Sequence, residues 1–248
     1  MRDINELIAA GATFICNHSG GKDSQAMLIK LLEVVPASQI VVVHASLGDV
    51  EWKGALEHAE EQTRAAGLDF IVARAEKSLP DMVERRFESR PSVPSWPSTS
   101  HRQCTSDLKR NPIEREVRRW LKANGKTLVV NCMGLRAQES RDRAKREVLT
   151  LNTKNSVAGR EWYDWLPIHT MQIAEVWATI AAAGQKPHPA YALGSERLSC
   201  VFCIMASKND LKLGRQYNPD LFAKYVELEK KTGYTMHASR KSLTELTD

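Results

Sequence analysis

Short β-prone runs with no polar interruption alternate with helix-like stretches along most of the chain. The first is Ala12-Thr13-Phe14-Ile15-Cys16 and the second Gln39-Ile40-Val41-Val42-Val43-His44-Ala45. Others follow at Asp69-Phe70-Ile71-Val72-Ala73, Lys126 to Met133 and Glu161 to Ile168. Runs of this kind read as strands covered on both faces, the habit of a parallel sheet. Helical periodicity fills the gaps at Gln25 to Leu32, Trp52 to Ala66, Leu79 to Glu88, a basic stretch through Trp120 and Leu121, and Met171 to Ala183. Gly67 and Gly184 serve as stops. The alternation predicts an α/β fold of about five parallel strands with helices on both faces. Residues 1–168 form its main domain, and 169–248 a helical C-terminal segment ending in a charged helix from Asp220 to Lys231.

One stretch breaks the pattern. Arg90 to Ser100 holds three prolines and four serines in eleven residues, which excludes regular structure and predicts a lid, a substrate loop or a connector. The 248 residues, 42% of them hydrophobic, suffice for one sizeable core. No segment approaches the ~20 unbroken apolar residues that span a bilayer, and Met1 to Glu6 lacks the pattern of a secretory signal. The expectation is a cytoplasmic protein without membrane partners. A formal charge of +5 mildly favours nucleotides, sulfate esters or nucleic acid. Five cysteines, an odd number, point to chemistry or metal rather than a disulfide framework.

The chemistry concentrates first in Ser19-Gly20-Gly21-Lys22-Asp23-Ser24, between the first strand and the first long helix. Loop amides and a helix N-terminus there face one spot, which favours an anion. Ser19 and Ser24 add hydroxyls, Lys22 a point charge, and the glycines let the backbone approach phosphate oxygens closely. The spacing is not that of the Walker loop. Ala45-Ser46-Leu47-Gly48-Asp49, at a strand's carboxyl end, is placed to meet the rest of a nucleotide. Gly134-Leu135-Arg136-Ala137-Gln138-Glu139-Ser140 ends another strand, with Arg136 suited to a two-pronged grip on phosphate or sulfate. Cys200-Val201-Phe202-Cys203 puts two thiols on one tight turn.

These motifs resemble the adenine-nucleotide alpha-hydrolase superfamily, the N-type ATP pyrophosphatases and the phosphoadenylyl-sulfate (PAPS) reductases. The pattern is most like that of PAPS reductase family and DndC-type proteins, the latter known from DNA phosphorothioation. The resemblance covers S-G-G-K-D-S, the second-strand text His44 to Trp52, Cys104-Thr105 with Leu108-Lys109 and Pro112, G-x-R-x-x-E-S, Pro167-Ile168, and Pro187 to Cys203. Ser46 departs from it, since relatives often carry an acid there. It implies that Ser19, Gly20, Gly21, Lys22, Asp23, Ser24, Ala45, Ser46, Lys109, Gly134, Arg136, Glu139 and Arg197 bind the nucleotide or substrate. Lys22, Asp23 and Arg136 would serve catalysis, with ATP and Mg2+ as cofactors.

Cys104, Cys200 and Cys203 form the expected metal set, while Cys16 and Cys132 lie in strands and read as core thiols. Three assignments stay open: a [4Fe–4S] cluster with one iron free of cysteine, a zinc site completed by His101, or a metal-free dithiol. The sequence shows no cysteine after Cys203, and Thr105 stands where sulfate-nucleotide reductases have a second cysteine. The expectation is therefore an ATP pyrophosphatase and adenylating sulfurtransferase. A PAPS or adenylyl-sulfate reductase and a non-catalytic nucleotide-binding module are the alternatives. A cysteine desulfurase as sulfur donor, a nucleic acid as acceptor, and a homo-oligomer belong to the same expectation.

Overall fold

A computed structural model describes residues 2–248. The elements are, in order, α1 (Ile4–Ala9), β1 (Thr13–Asn17), α2 (Lys22–Val34), β2 (Ile40–Ser46), α3 (Ala55–Ala65), β3 (Asp69–Arg74) and α4 (Leu79–Ser89). Next come α5 (Gln103–Thr105) and α6 (Asn111–Ala123), joined by a π-helical stretch over Ser106–Arg110. The chain continues through β4 (Leu128–Cys132), α7 (Arg141–Ala144), β5 (Leu149–Leu151), β6 (Glu161–Trp165), α8 (Ile173–Ala182), α9 (Lys208–Tyr217), α10 (Pro219–Thr232) and α11 (Leu243–Thr247). No helix among the described residues is long and apolar enough to cross a membrane.

The α/β reading holds. A six-stranded sheet runs in the order β3-β2-β1-β4-β6-β5. β1 lies parallel to β2 and β4, and β4 parallel to β6, with Phe14 opposite Ile40 and Val130. The sixth strand, β5, pairs antiparallel with β6 and was not expected. Its three residues, Leu-Thr-Leu, are too few to show a period. The expected strands are buried on alternate sides: Phe14, Cys16, Val42, Val130 and Tyr163 join one core cluster with Leu7, Met27 and Leu31. Ile15, Val41, Val43, Val129 and Trp162 are equally buried. Burial on both sides explains why these strands show no polar period.

The chain packs into two units interleaved in sequence. The first comprises Met1–His44, Ala55–Val72 and Glu114–His188, and the second Ala45–Gly54, Ala73–Ile113 and Pro189–Asp248. The first carries the sheet core. The second has its own core around Trp52, Trp96, Leu108, Phe202, Leu211 and Tyr225. The proline- and serine-rich loop belongs to the second unit and is anchored at its middle: Ser95 and Trp96 are buried, and Tyr234 donates from its hydroxyl to the Pro91 carbonyl at 3.2 Å.

Candidate functional site

In the first unit, the Ser19–Ser24 loop joins β1 to α2 and is shaped by contacts only glycine permits. Gly20 has φ +75°, and a Cβ there would sit 2.6 Å from the Ala55 carbonyl oxygen. Gly134, after β4, presses on the first turn of α2, where a Cβ would lie 3.1 Å from the Asp23 carbonyl oxygen. Ser24 is buried and works inside the loop. Its Oγ donates to the Gly21 carbonyl at 2.8 Å and accepts from the Ser19 amide at 3.1 Å. Ser19 is exposed.

Lys22, Asp23 and Arg136 are brought together. The Lys22 Nζ lies 3.3 Å from one Asp23 oxygen, and Arg136 Nε donates to the other at 2.6 Å. Arg136 also donates to Gln138 Oε1 at 2.8 Å, and Gln138 Oε1 accepts from the Ile173 amide at the start of α8. Glu139 accepts from the Arg136 amide at 2.9 Å and pairs with Arg143. Arg136 is thus buried in a network of its own chain, more enclosed than a strand-end guanidinium facing a ligand. Lys22 is buried too, its ammonium 6.0 Å from the Trp177 ring centroid.

Beneath this loop lies a group of histidines that sequence reasoning missed. The Gly20 amide donates to His18 Nδ1 at 3.1 Å, while His44 Nδ1 meets the His18 carbonyl at 2.8 Å. His58 Nε2 contacts Gln62 at 2.6 Å, and its ring packs edge-on against His188. Burial holds His18 far below its ordinary range, at about 3, against an opposing contribution from Gln62; His44 and His58 lower it further. His18 is therefore neutral, with Nδ1 free to accept from the loop. An isolated histidine after a strand carries no pattern that would have revealed this.

The second unit holds the remaining candidates. Ser46 lines a pocket of about 210 Å3 with Leu47, Gly48, Arg74, Glu76 and Ser78. The contribution from the end of β3 was not anticipated, because a charged strand end looks like ordinary solvated turn. Ala45 is partly buried beside Ser46 at the end of β2, and Arg197 is exposed.

Cys104, Cys200 and Cys203 come from two segments and are partly buried, whereas Cys16 and Cys132 are fully buried core thiols. Cys200 bridges to Glu51, and the Val201 amide donates to the Val50 carbonyl at 2.9 Å. Phe202 is seated against Gly214, where a Cβ would come within 2.8 Å of its ring. Lys109 sits in the π-helical stretch, a local irregularity often found at functional sites. The field of Cys200 raises its pKa against the lowering by burial, with further raising from Cys203, Cys104 and Glu51. The three thiols and one ammonium therefore share a single neighbourhood. Burial raises the pKa of Cys104 and of Cys200, with Lys109 opposing the shift in both, so these two are held as thiols at neutral pH. No three His, Cys, Asp or Glu side chains among the described residues are arranged to hold a metal ion.

Comparison with known proteins fits this architecture. Among solved structures, the PAPS reductase of Candida auris in its phosphate complex aligns over 81% of this chain and 96% of its own, at 11% identity and TM-score 0.50. The FMN adenylyltransferase of Candida glabrata, in complex with FAD and inorganic pyrophosphate, aligns over 77% and 55%, at 14% identity and TM-score 0.50. At such identities the likeness is one of fold. An uncharacterised protein of Methanocaldococcus jannaschii is 23% identical over 216 residues, 87% of this chain and 47% of its own length. An uncharacterised protein of Escherichia phage 186 is 30% identical over 133 residues, 53% of this chain and 36% of its own. The chain thus spans less than half the length of either curated relative. The model of the phosphoadenosine phosphosulfate reductase domain matches residues 13–206, from β1 through the cysteine turn, and on that match the chain belongs to this family.

Proposed function

We propose that the chain binds ATP, or a related adenylyl nucleotide, at the Ser19–Ser24 loop and cleaves it between the α and β phosphates. An acceptor oxygen attacks the α-phosphorus, the bond to the bridging oxygen breaks, and its electron pair leaves with pyrophosphate. A sulfur nucleophile then displaces AMP from the adenylated acceptor. The observation that carries this reading is the loop itself, where the close approach of Gly20, the packing of Gly134 on the first turn of α2, buried Lys22 and the N-terminus of α2 converge where pyrophosphate charge would develop. Asp23 offers the carboxylate for Mg2+ and, with Arg136, holds Lys22 in register. The pyrophosphate in the similar FMN adenylyltransferase complex supports the same leaving group.

Cys104, Cys200 and Cys203 make the sulfur-handling centre in this reading. The donor set suits a [4Fe–4S] cluster: thiols are soft, and a metal displaces the protons that burial leaves on Cys104 and Cys200. A zinc ion needs every sulfur at about 2.3 Å from one point, whereas a cubane spreads its thiolate ligands over separate irons. When bound, the cluster would supply an iron free of cysteine as a sulfur-binding position. Lys109 would balance its negative charge. A cysteine desulfurase as donor and a nucleic acid as acceptor are compatible partners.

Reduction of PAPS to sulfite is the second reading, favoured by the family match. It requires a nucleophilic thiolate, and the protonated state of Cys104 and Cys200 weighs against those two in that role. Anaerobically loaded protein supplied with ATP, and separately with PAPS, distinguishes the readings. Pyrophosphate release from ATP, lost in Lys22→Ala with ATP affinity weakened by ~1.5–3 kcal/mol, supports adenylation. Sulfite release from PAPS with no pyrophosphate from ATP replaces it with the reductase.

A further inference from the structure

The first unit carries a row of polar side chains across its otherwise apolar strands. Asp164, near the end of β6, accepts from Asn131 of β4 at 2.8 Å through one oxygen and from Asn152 at 2.8 Å through the other. The Trp162 indole adds a longer contact at 3.4 Å. Asn131 in turn accepts from Asn17 Nδ2 at 2.7 Å, and the same Nδ2 donates to the Cys132 carbonyl at 2.8 Å. Ile15, Val129 and Trp162, the preceding residues on the same strand faces, are buried, whereas Asn17, Asn131 and Asp164 are only partly so. Donor and acceptor chemistry fixes the orientation of the row. A carboxylate offers only acceptors, so Asn131 gives it the amide nitrogen and turns its own Oδ1 to Asn17. Asn17 then presents its nitrogen to two acceptors, and its Oδ1 is directed away from both. No hydrogen bond among the described residues uses that oxygen.

Asn17 ends β1, just ahead of the Ser19–Ser24 loop. β1 and β4 are the neighbours at which the strand order reverses, the place where open α/β sheets bind ligands beyond the carboxyl ends of their strands. Phosphate oxygens are acceptors and are repelled by another acceptor, so Asn17 Oδ1 suits a part of the nucleotide that donates. Next to the phosphates, those donors are the sugar hydroxyls. We propose that Asn17 Oδ1 accepts a hydrogen bond from a sugar hydroxyl of the bound nucleotide, with Asn131 and Asp164 as positioning residues that aim it. The site then takes a nucleotide whose hydroxyl at that position is free rather than esterified. This assignment rests on the nucleotide-binding reading above and adds the sugar to it.

Calorimetric titration of ATP, 2′-deoxy-ATP, 3′-deoxy-ATP and inorganic pyrophosphate into wild type, Asn17→Ala and Asp164→Asn tests this. Wild type should bind one deoxy analogue about three- to tenfold more weakly than ATP, which names the hydroxyl. Asn17→Ala should lose the same factor for ATP and no longer distinguish ATP from that analogue. Asp164→Asn, which sets a donor against the amide of Asn131 or Asn152, should narrow the preference from a distance. Pyrophosphate carries no sugar and should bind all three proteins equally. A wild type indifferent to both deoxy analogues, or an Asn17→Ala that keeps the preference, overturns the proposal and leaves nucleotide binding standing. Equal weakening of ATP and pyrophosphate in Asn17→Ala also overturns it, because the residue would then only support the loop. An unchanged preference in Asp164→Asn removes the positioning role. A folded wild type that binds neither ATP nor pyrophosphate removes the nucleotide reading and this assignment with it.

Discussion

Arg136 carries two obligations that pull its variants in one direction. Its Nε is bonded to Asp23, and the side chain is buried, so Arg136→Ala removes one of the two cationic partners recorded for the half-buried Asp23 carboxylate. Breaking a buried pair from one side costs more than the pair contributes. The expected loss is about 2 kcal/mol or more of folding stability, together with weaker nucleotide binding. An unfolding curve matching wild type would put the arginine's role wholly in the ligand. His18 makes a different kind of prediction, because its pKa in the fold, about 3, lies below the ordinary 6.5. The unfolded chain binds the proton more readily between those values, so this contribution is complete above about pH 6.5 and lost as pH falls toward 3. At pH 5 about 2 kcal/mol of it has already been lost. His18→Asn keeps a side-chain acceptor for the Gly20 amide but has nothing to titrate. Urea midpoints followed from pH 7 to pH 4.5 should therefore decline less steeply in the variant than in wild type.

At the scale of elements, the loop between β1 and α2 is held open by geometry rather than by charge. Gly20→Ala meets both a left-handed φ of +75° and the Ala55 carbonyl at 2.6 Å, whereas Gly48→Ala meets a φ of +62° with nothing within 4 Å. The first should cost clearly more than the ~1–2 kcal/mol of left-handed strain expected for the second, and should also abolish nucleotide binding. Equal melting temperatures for the two variants would deny the close approach. The strands were legible because a doubly covered parallel sheet writes itself as uninterrupted apolar runs, as in Ile40 to Val43. The π-helical stretch over Ser106–Arg110 was not, since one extra residue per turn scarcely alters an amphipathic pattern. Helix α10 reads as charged, yet Leu221, Tyr225 and Leu228 form a buried stripe at helical spacing. Its lysines and glutamates hid the tyrosine. The contact of Arg136 with Asp23 spans 113 positions and has no local signature.

At the scale of the molecule, the second unit is assembled from three separated segments, and its cysteines arrive from two of them. Cys104 precedes the π-helical stretch, while Cys200 and Cys203 lie beyond β6 and α8. A group bonded to all three closes a long loop of chain and should stabilise the unit by restricting its unfolded state. In contrast, Cys16 and Cys132 are packed inside the sheet core, with thiol pKa values raised by burial. Anaerobically reconstituted wild type is therefore expected to hold close to four irons per chain and to melt higher than the metal-free protein. Cys104→Ser, Cys200→Ser and Cys203→Ser should each lose both the iron and that gain in melting temperature. Cys16→Ser and Cys132→Ser should keep the iron, while each buries a hydroxyl in an apolar core at a cost of about 1–3 kcal/mol. Stoichiometric zinc without iron, released in His101→Ala, would instead assign the three sulfurs to a structural ion and leave the sulfur-transfer step without a carrier.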